Sequence, residues 1–215
     1  MYLSRLILDD QKRETQRLLS SPEFVHGAVE QCFPGKRDRN LWRIDYLNGQ
    51  CCLLVLSHQL PDFGQLVSAY GFKDRQPPWE SKPYDNLLNR LENGQVWRFR
   101  LKANPVRSLK QEGDDRGKVT AHVTPEHQKQ WLFQRAEKAG FSLSMDAFEV
   151  VHTQWLRFYK RGNRLVTLRT ATFEGVLKVT DAAALKESLQ TGLGRAKAYG
   201  CGLMTLAKAG VPSDV

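Results

Sequence analysis

The first residues, YLSRLILD at 2–9, alternate apolar and polar positions, the period-two signature of a half-buried strand. The period then changes. Ser21 is placed to cap a helix, Pro22 suits its first position, and Glu23 sits where a negative charge meets the positive end of the helix dipole. Val25, Ala28, Val29 and Cys32 recur at helical spacing, which predicts a helix over 22–33 with one apolar face. Asn48-Gly49 stands between two apolar runs, LWRIDYL and QCCLLVLS, and predicts a hairpin there. DFGQLVSAYGF reads as a short amphipathic helix, and 73–95, polar and proline-containing, as a surface excursion. QVWRFRLKANPVRSL is a strand with Arg98, Arg100 and Lys102 on alternate positions, closing a β-α-β-β-α-β series.

The order then repeats. GKVTAHVT predicts a strand, and Thr124-Pro125-Glu126 opens a helix that runs to about 139 and stops at Gly140. Residues 147–181 are rich in β-branched and aromatic side chains and predict a hairpin turning at Gly162-Asn163, with a further strand over 172–179. Asp181 caps the helix AAALKESLQTGL, and GLMTLAK is a last strand. The expected class is α+β, two tandem ferredoxin-like (RRM-like) βαββαβ domains, over 1–108 and 117–208.

Composition narrows what such a chain does. At 41% hydrophobic residues it has the material for a core, and its net charge of +9 draws polyanions. Nucleic acid, an anionic membrane or an acidic protein each fits that charge. The start has no apolar run of the roughly 7–15 residues a secretory signal needs, and nothing reaches the roughly 18 of a membrane span. The four cysteines form no C-x-x-C pair, so reduced thiols in a cytoplasmic protein are expected, without zinc.

TGLGRAKAYGCGLMTLA, 191–207, sets four glycines around Arg195 and Lys197, a pattern that lets backbone approach phosphate. It is neither a P-loop nor a dinucleotide fingerprint: G-x-x-x-x-G-K-[ST] is absent, GLGRAK lacks the third glycine, and the stretch follows a helix rather than the first strand. A nucleotide cofactor is therefore not expected. The hairpin WLRFYKRGNRLVTLR carries Arg157, Lys160, Arg161, Arg164 and Arg169, and no Asp or Glu stands between Val150 and Phe173. A basic ribbon with interleaved Trp155, Phe158 and Tyr159 suits a nucleic-acid backbone, although like charges also keep exposed strand edges apart.

Five histidines are present, without H-E-x-x-H or H-x-H spacing. His26 lies at the border of the apolar face of the first helix, where a ring can pack and still present a nitrogen to a cleft. No G-x-S-x-G nucleophile or kinase set appears. A histidine in basic surroundings suits RNA cleavage, because RNA brings its own nucleophile, the 2′-hydroxyl, and the enzyme need only move protons and stabilise the charged phosphorane.

MYLSRLIL, SPEFVHGAVEQCFP, LWRIDY, VWRFRLKANPVRS, TPEHQKQWLFQRAEKAGFSL and the run from Thr172 to Ala207 together resemble the CRISPR repeat-RNA endoribonuclease family of the type I-E Cascade complex. The F-R-L-K-A-N-P segment followed at this spacing by G-x-G-x-A-K-x-x-G-x-G-L is specific to it. The resemblance implies two ferredoxin-like domains and metal-independent cleavage of precursor CRISPR RNA at the 3′ base of the repeat hairpin. It also implies a 2′,3′-cyclic phosphate product, no cofactor, and retention of the crRNA among the other Cascade subunits. It puts the catalytic histidine at His26 and the RNA stem against the hairpin of Arg157, Lys160, Arg161, Arg164 and Arg169. Gly194, Arg195 and Lys197 would then lie on the RNA backbone. The chain departs from some relatives at Glu23, where they carry tyrosine, so Glu23 and Lys197 are both candidates for an auxiliary role. Two other readings stand beside this one: a non-catalytic RNA-binding subunit of a CRISPR ribonucleoprotein, and a basic module for an acidic protein.

Overall fold

A computed structural model describes residues 1–35, 38–72, 74–109, 118–160 and 162–209. They form two compact units that interleave in sequence. The first comprises Met1–Arg90, Phe158–Val166 and Ala196–Leu203; the second comprises Leu91–Arg157, Thr167–Arg195 and the chain from Met204. Pattern alone divides the chain between 108 and 117 instead.

In the first unit the elements are β1 (Tyr2–Ile7), α1 (Arg13–Leu19), α2 (Pro22–Glu30), β2 (Leu41–Leu47), β3 (Gln50–Ser57), α3 (Gly64–Tyr70), β4 (Trp79–Pro83) and α4 (Asp85–Leu88). The strands form an antiparallel sheet in the order β2-β3-β1-β4. The turn at Asn48-Gly49 takes positive φ at both residues, +50° and +74°, which is why that dipeptide closes the β2–β3 hairpin. Helix α2 starts as expected, with the Glu23 amide donating to the Ser21 hydroxyl at 3.3 Å, but it ends at Glu30 rather than 33. Cys32 stays in the core beyond that end, its thiol donating to the Ala28 carbonyl at 3.3 Å. Val25 and Val29 pack with Leu6, Leu53, Val55 and Phe63 under the sheet.

Three elements of this unit escape the pattern: α1, β4 and the short α4. Helix α1 buries only Thr15 and Leu18 and carries no apolar stripe. The stretch 73–95, expected as an excursion, contains β4, which pairs β1 from Tyr2 to Leu6. As an edge strand it tolerates the polar sequence WESKP; Ser81 meets Ser4 at 2.8 Å and Glu80 accepts from Arg5 at 3.1 Å.

The second unit contains β5 (Val96–Ala103), β6 (Val106–Leu109), β7 (Lys118–Ala121), α5 (Pro125–Ala136), β8 (Phe141–Ser142), β9 (Phe148–Lys160), β10 (Arg164–Val179), α6 (Ala182–Thr191) and β11 (Met204–Lys208); the far ends of β9 and β10 belong to the first unit. Its sheet runs β11-β5-β10-β8, with β9 also on β10, while β6 and β7 pair only with each other. Strand β5, expected to close the first half, therefore belongs to the second sheet, between β10 and β11. Its alternation was legible, with Trp97, Phe99, Leu101 and Ala103 buried, but alternation does not name a strand's partner. β10 is one strand of 16 residues where a hairpin arm and a further strand were expected. Trp131 of α5 stacks on Phe173 with ring centroids 6.3 Å apart. Asp181 caps α6 by accepting from the amides of Ala183 and Ala184 at 2.9 and 3.1 Å.

All four cysteines are buried free thiols. Among the described residues no helix is long and apolar enough to cross a membrane.

Candidate active site

Helix α2 places His26 one position after buried Val25 and three before buried Val29, so its ring is half-buried at the margin of the core. Beside it runs an open groove of about 1140 Å³. Glu23 shares the His26 face of α2, one turn earlier, and both line this groove. Tyr159 and Lys160, from the far end of β9, line it as well. The structure therefore gathers the imidazole, a carboxylate, a phenol and an ammonium group from residues up to 137 positions apart, Glu23 to Lys160. Arg17 of α1 adds a second cation to the wall, and Glu14, Glu30 and Asp38 add carboxylates.

The glycine-rich stretch contributes to the same unit through a 3-10 turn, Lys197–Tyr199, that packs on α2 and β2. Burial, and then the nearby Arg39 guanidinium, hold the Lys197 ammonium below its usual pKa. Burial, and then the charge of Glu23, raise the Tyr199 phenol. The Tyr199 ring stands edge-on to Phe158 with centroids 4.8 Å apart, which fixes the turn against the end of the hairpin. Gly200 follows with φ +76°, and a Cβ there would come 2.6 Å from the Trp42 ring. Just beyond, Arg43 donates to the Leu203 carbonyl at 2.7 Å while forming a buried ion pair with Asp45 at 2.6 Å. One function of these glycines is thus visible: the segment must lie flat on aromatic rings of the protein itself.

The other expected RNA contacts divide between the units. Arg164 is exposed in the first unit. In the second, Arg157 and Arg195 are exposed, and Arg169 is half-buried, donating to the Thr153 hydroxyl at 2.7 Å with its guanidinium 5.5 Å from the Trp155 ring centroid. Gly194, with φ +82°, faces the Trp131 ring, which a Cβ would meet at 3.1 Å. Arg161 lies outside the described residues. Sequence reasoning missed Arg17, Arg39 and Tyr199. None carries a local signal; each matters only because the fold brings it to α2 or to Lys197. Among the described residues no three His, Cys, Asp or Glu side chains are grouped as a metal-binding set.

The sequence profile of the family described as CRISPR associated protein matches residues 1–208. The chain belongs to that family. Within the CRISPR associated proteins it is 30% identical over 220 residues to the CRISPR-associated endoribonuclease Cse3 of Thermus thermophilus, a match covering 96% of this chain and all of that one. It is 27% identical to the CRISPR system Cascade subunit CasE of Escherichia coli, covering 96% and 99% of the two chains. Its structure resembles that of CRISPR endoribonuclease Cse3 bound to a 19-nucleotide RNA, with a TM-score of 0.79, 28% identity, and coverage of 96% of this chain and 100% of that one.

Proposed function

We propose that the protein is a metal-independent endoribonuclease that cleaves precursor CRISPR RNA at the 3′ base of each repeat hairpin and keeps the product within Cascade. The observation that carries this reading is the groove beside α2, where His26 and Lys160 face one space in a chain similar over nearly its whole length to a named CRISPR-associated endoribonuclease and to a Cascade subunit. It assigns the protein to the cytoplasm, with the crRNA and the other Cascade subunits as its partners. Both units are read as ferredoxin-like domains in tandem. In support, the four strands along each sheet's path, counted in chain order among themselves, run 4-1-3-2: β4-β1-β3-β2 in the first unit, and β11-β5-β10-β8 in the second, where β9 adds to β10 and β6 and β7 pair apart.

The chemistry follows from what RNA supplies. The 2′-oxygen attacks the adjacent phosphorus, the bond to the 5′-oxygen breaks, and the products end in a 2′,3′-cyclic phosphate and a 5′-hydroxyl. One proton leaves the 2′-hydroxyl and one reaches the 5′-oxygen. His26 performs one of these transfers, as base toward the first or as acid toward the second. The phosphorane gains negative charge, which a cation on the groove wall stabilises; Lys160 and Arg17 stand there, and Lys197 belongs to the turn that packs on α2. Glu23, one turn earlier on the same helix face, is read as an auxiliary residue that orients the imidazole. Arg157, Lys160, Arg161, Arg164 and Arg169 are read as the RNA-binding residues of the ribbon, with the stem recognised by its shape and phosphates, as duplex RNA demands. Gly194, Arg195 and Lys197 are read as contacts to the RNA backbone.

The test is cleavage of the host's own repeat hairpin in excess EDTA, with the ends of the products identified. A single cut at the 3′ base of the stem, with a 2′,3′-cyclic phosphate, is expected. Tight binding without cleavage would instead make the protein a guide-RNA holder.

A further inference from the structure

One feature of the second unit has no part in that chemistry. Trp155 of β9 is 50% exposed, whereas Trp42, Trp97 and Trp131 are 4%, 8% and 2% exposed. An indole half in water gives up much of the stabilisation its burial would supply. Yet the ring is not loose. The Arg169 guanidinium lies 5.5 Å from its centroid, and that arginine is itself fixed by a 2.7 Å hydrogen bond to Thr153. Cation–π contact and hydrogen bond together hold the indole in one place while leaving half of its surface to solvent.

The surroundings select the partner. Along β9, the nearest residues on the Trp155 face are Thr153 on one side and exposed Arg157 on the other, which separate the ring from exposed Val151 and Tyr159 further along. A protein partner would favour a contiguous apolar patch, and here the aromatic ring is flanked by a hydroxyl and a cation. No acidic residue occurs between Val150 and Phe173, so an anionic strand meets no repulsion along this ribbon. A fixed aromatic plane among cations is the arrangement that stacks a nucleobase and neutralises the phosphate beside it. A base inside a duplex has both faces covered by its neighbours. An unpaired base beyond the stem presents a free face to the indole.

We propose that Trp155 is a stacking platform for an unpaired nucleobase flanking the repeat hairpin, with Arg169 holding the ring and Arg157 meeting the adjoining phosphate. This rests on the RNA-processing reading and adds a single-strand contact to it.

The experiment compares two RNAs with the full-length protein: the repeat hairpin with its unpaired flanking nucleotides, and the same stem trimmed blunt. Trp155 is the most exposed tryptophan, Trp79 being partly buried and the other three buried, so the emission lost in Trp155→Phe is the part that reports on it. The flanked RNA is expected to quench that emission and the blunt stem to leave most of it. Trp155→Ala should weaken binding of the flanked RNA by about tenfold or more, with blunt-stem affinity within about twofold of wild type, and Trp155→Phe should restore most of the loss. Equal losses on both RNAs, or no loss on either, would overturn the platform. Cleavage of the flanked hairpin by wild type is scored in parallel. A protein that cuts without any Trp155 effect refutes the platform alone, and one that binds the flank through Trp155 yet never cuts refutes the processing reading alone. A wild type that binds neither RNA removes both.

Discussion

Single residues with the same side chain do opposite things in this chain, and glycine shows it best. Gly200 has φ +76° and its missing Cβ would sit 2.6 Å from Trp42, so Gly200→Ala combines a strained backbone with an overpacked contact. A loss of about 2–4 kcal/mol is expected, read as a lower melting temperature. Gly27 lies in helix α2 with nothing within 4 Å of the position a Cβ would take. Gly27→Ala should raise stability by about 0.5–1 kcal/mol, from helix propensity alone. If both substitutions destabilise equally in a thermal melt, the packing described for the 196–203 segment is wrong. At this scale the sequence was partly readable. His26 could be picked out because its spacing from Val25 and Val29 puts it at a helix border. Tyr199 and Arg17 could not, since nothing near either in the chain predicts proximity to α2.

At the scale of elements, local chemistry decided what was legible. Ser21-Pro22, Thr124-Pro125 and Asp181 each announce a helix start, because a capping oxygen must precede the first unpaired amides, and all three helices begin there. Asn48-Gly49 fixed its hairpin through positive φ. Partner choice was beyond such signals: β5 alternates as a strand in either sheet, and β4 is polar enough to pass for a loop. The β9–β10 ribbon carries its own prediction. Arg157 and Arg164 are exposed and Lys160 reaches the groove wall, so each can neutralise a phosphate. Replacing all three with Ala should weaken hairpin-RNA binding. It should also flatten the dependence of log affinity on log salt, by about 0.7–0.9 for each phosphate that is no longer neutralised. A titration at several salt concentrations measures this. An unchanged slope would show that the ribbon holds its charges clear of the RNA.

For the whole molecule, pH is the probe with a definite sign. Burial, with Asp62 nearby, pushes the Cys32 thiol up from 9.0 to about 12, and burial takes Cys51 to about 11. Burial also raises the Tyr84 phenol above 10.0. These groups lose their protons in the unfolded chain from about pH 9, whereas the folded protein keeps them protonated further up. Their contribution to stability is complete below pH 9 and is lost as pH rises from 9 through 11 and 12. Urea midpoints should therefore fall steadily between about pH 9 and 11, and Cys32→Val should reduce that slope. The central claim is decided by one comparison: single-turnover cleavage of the repeat hairpin in excess EDTA by wild type and by His26→Ala at saturating protein. The expected variant binds the hairpin with wild-type affinity and cuts it at least about 100-fold more slowly. A variant that cuts as fast as wild type would contradict the assignment and leave His26 a residue of the core margin.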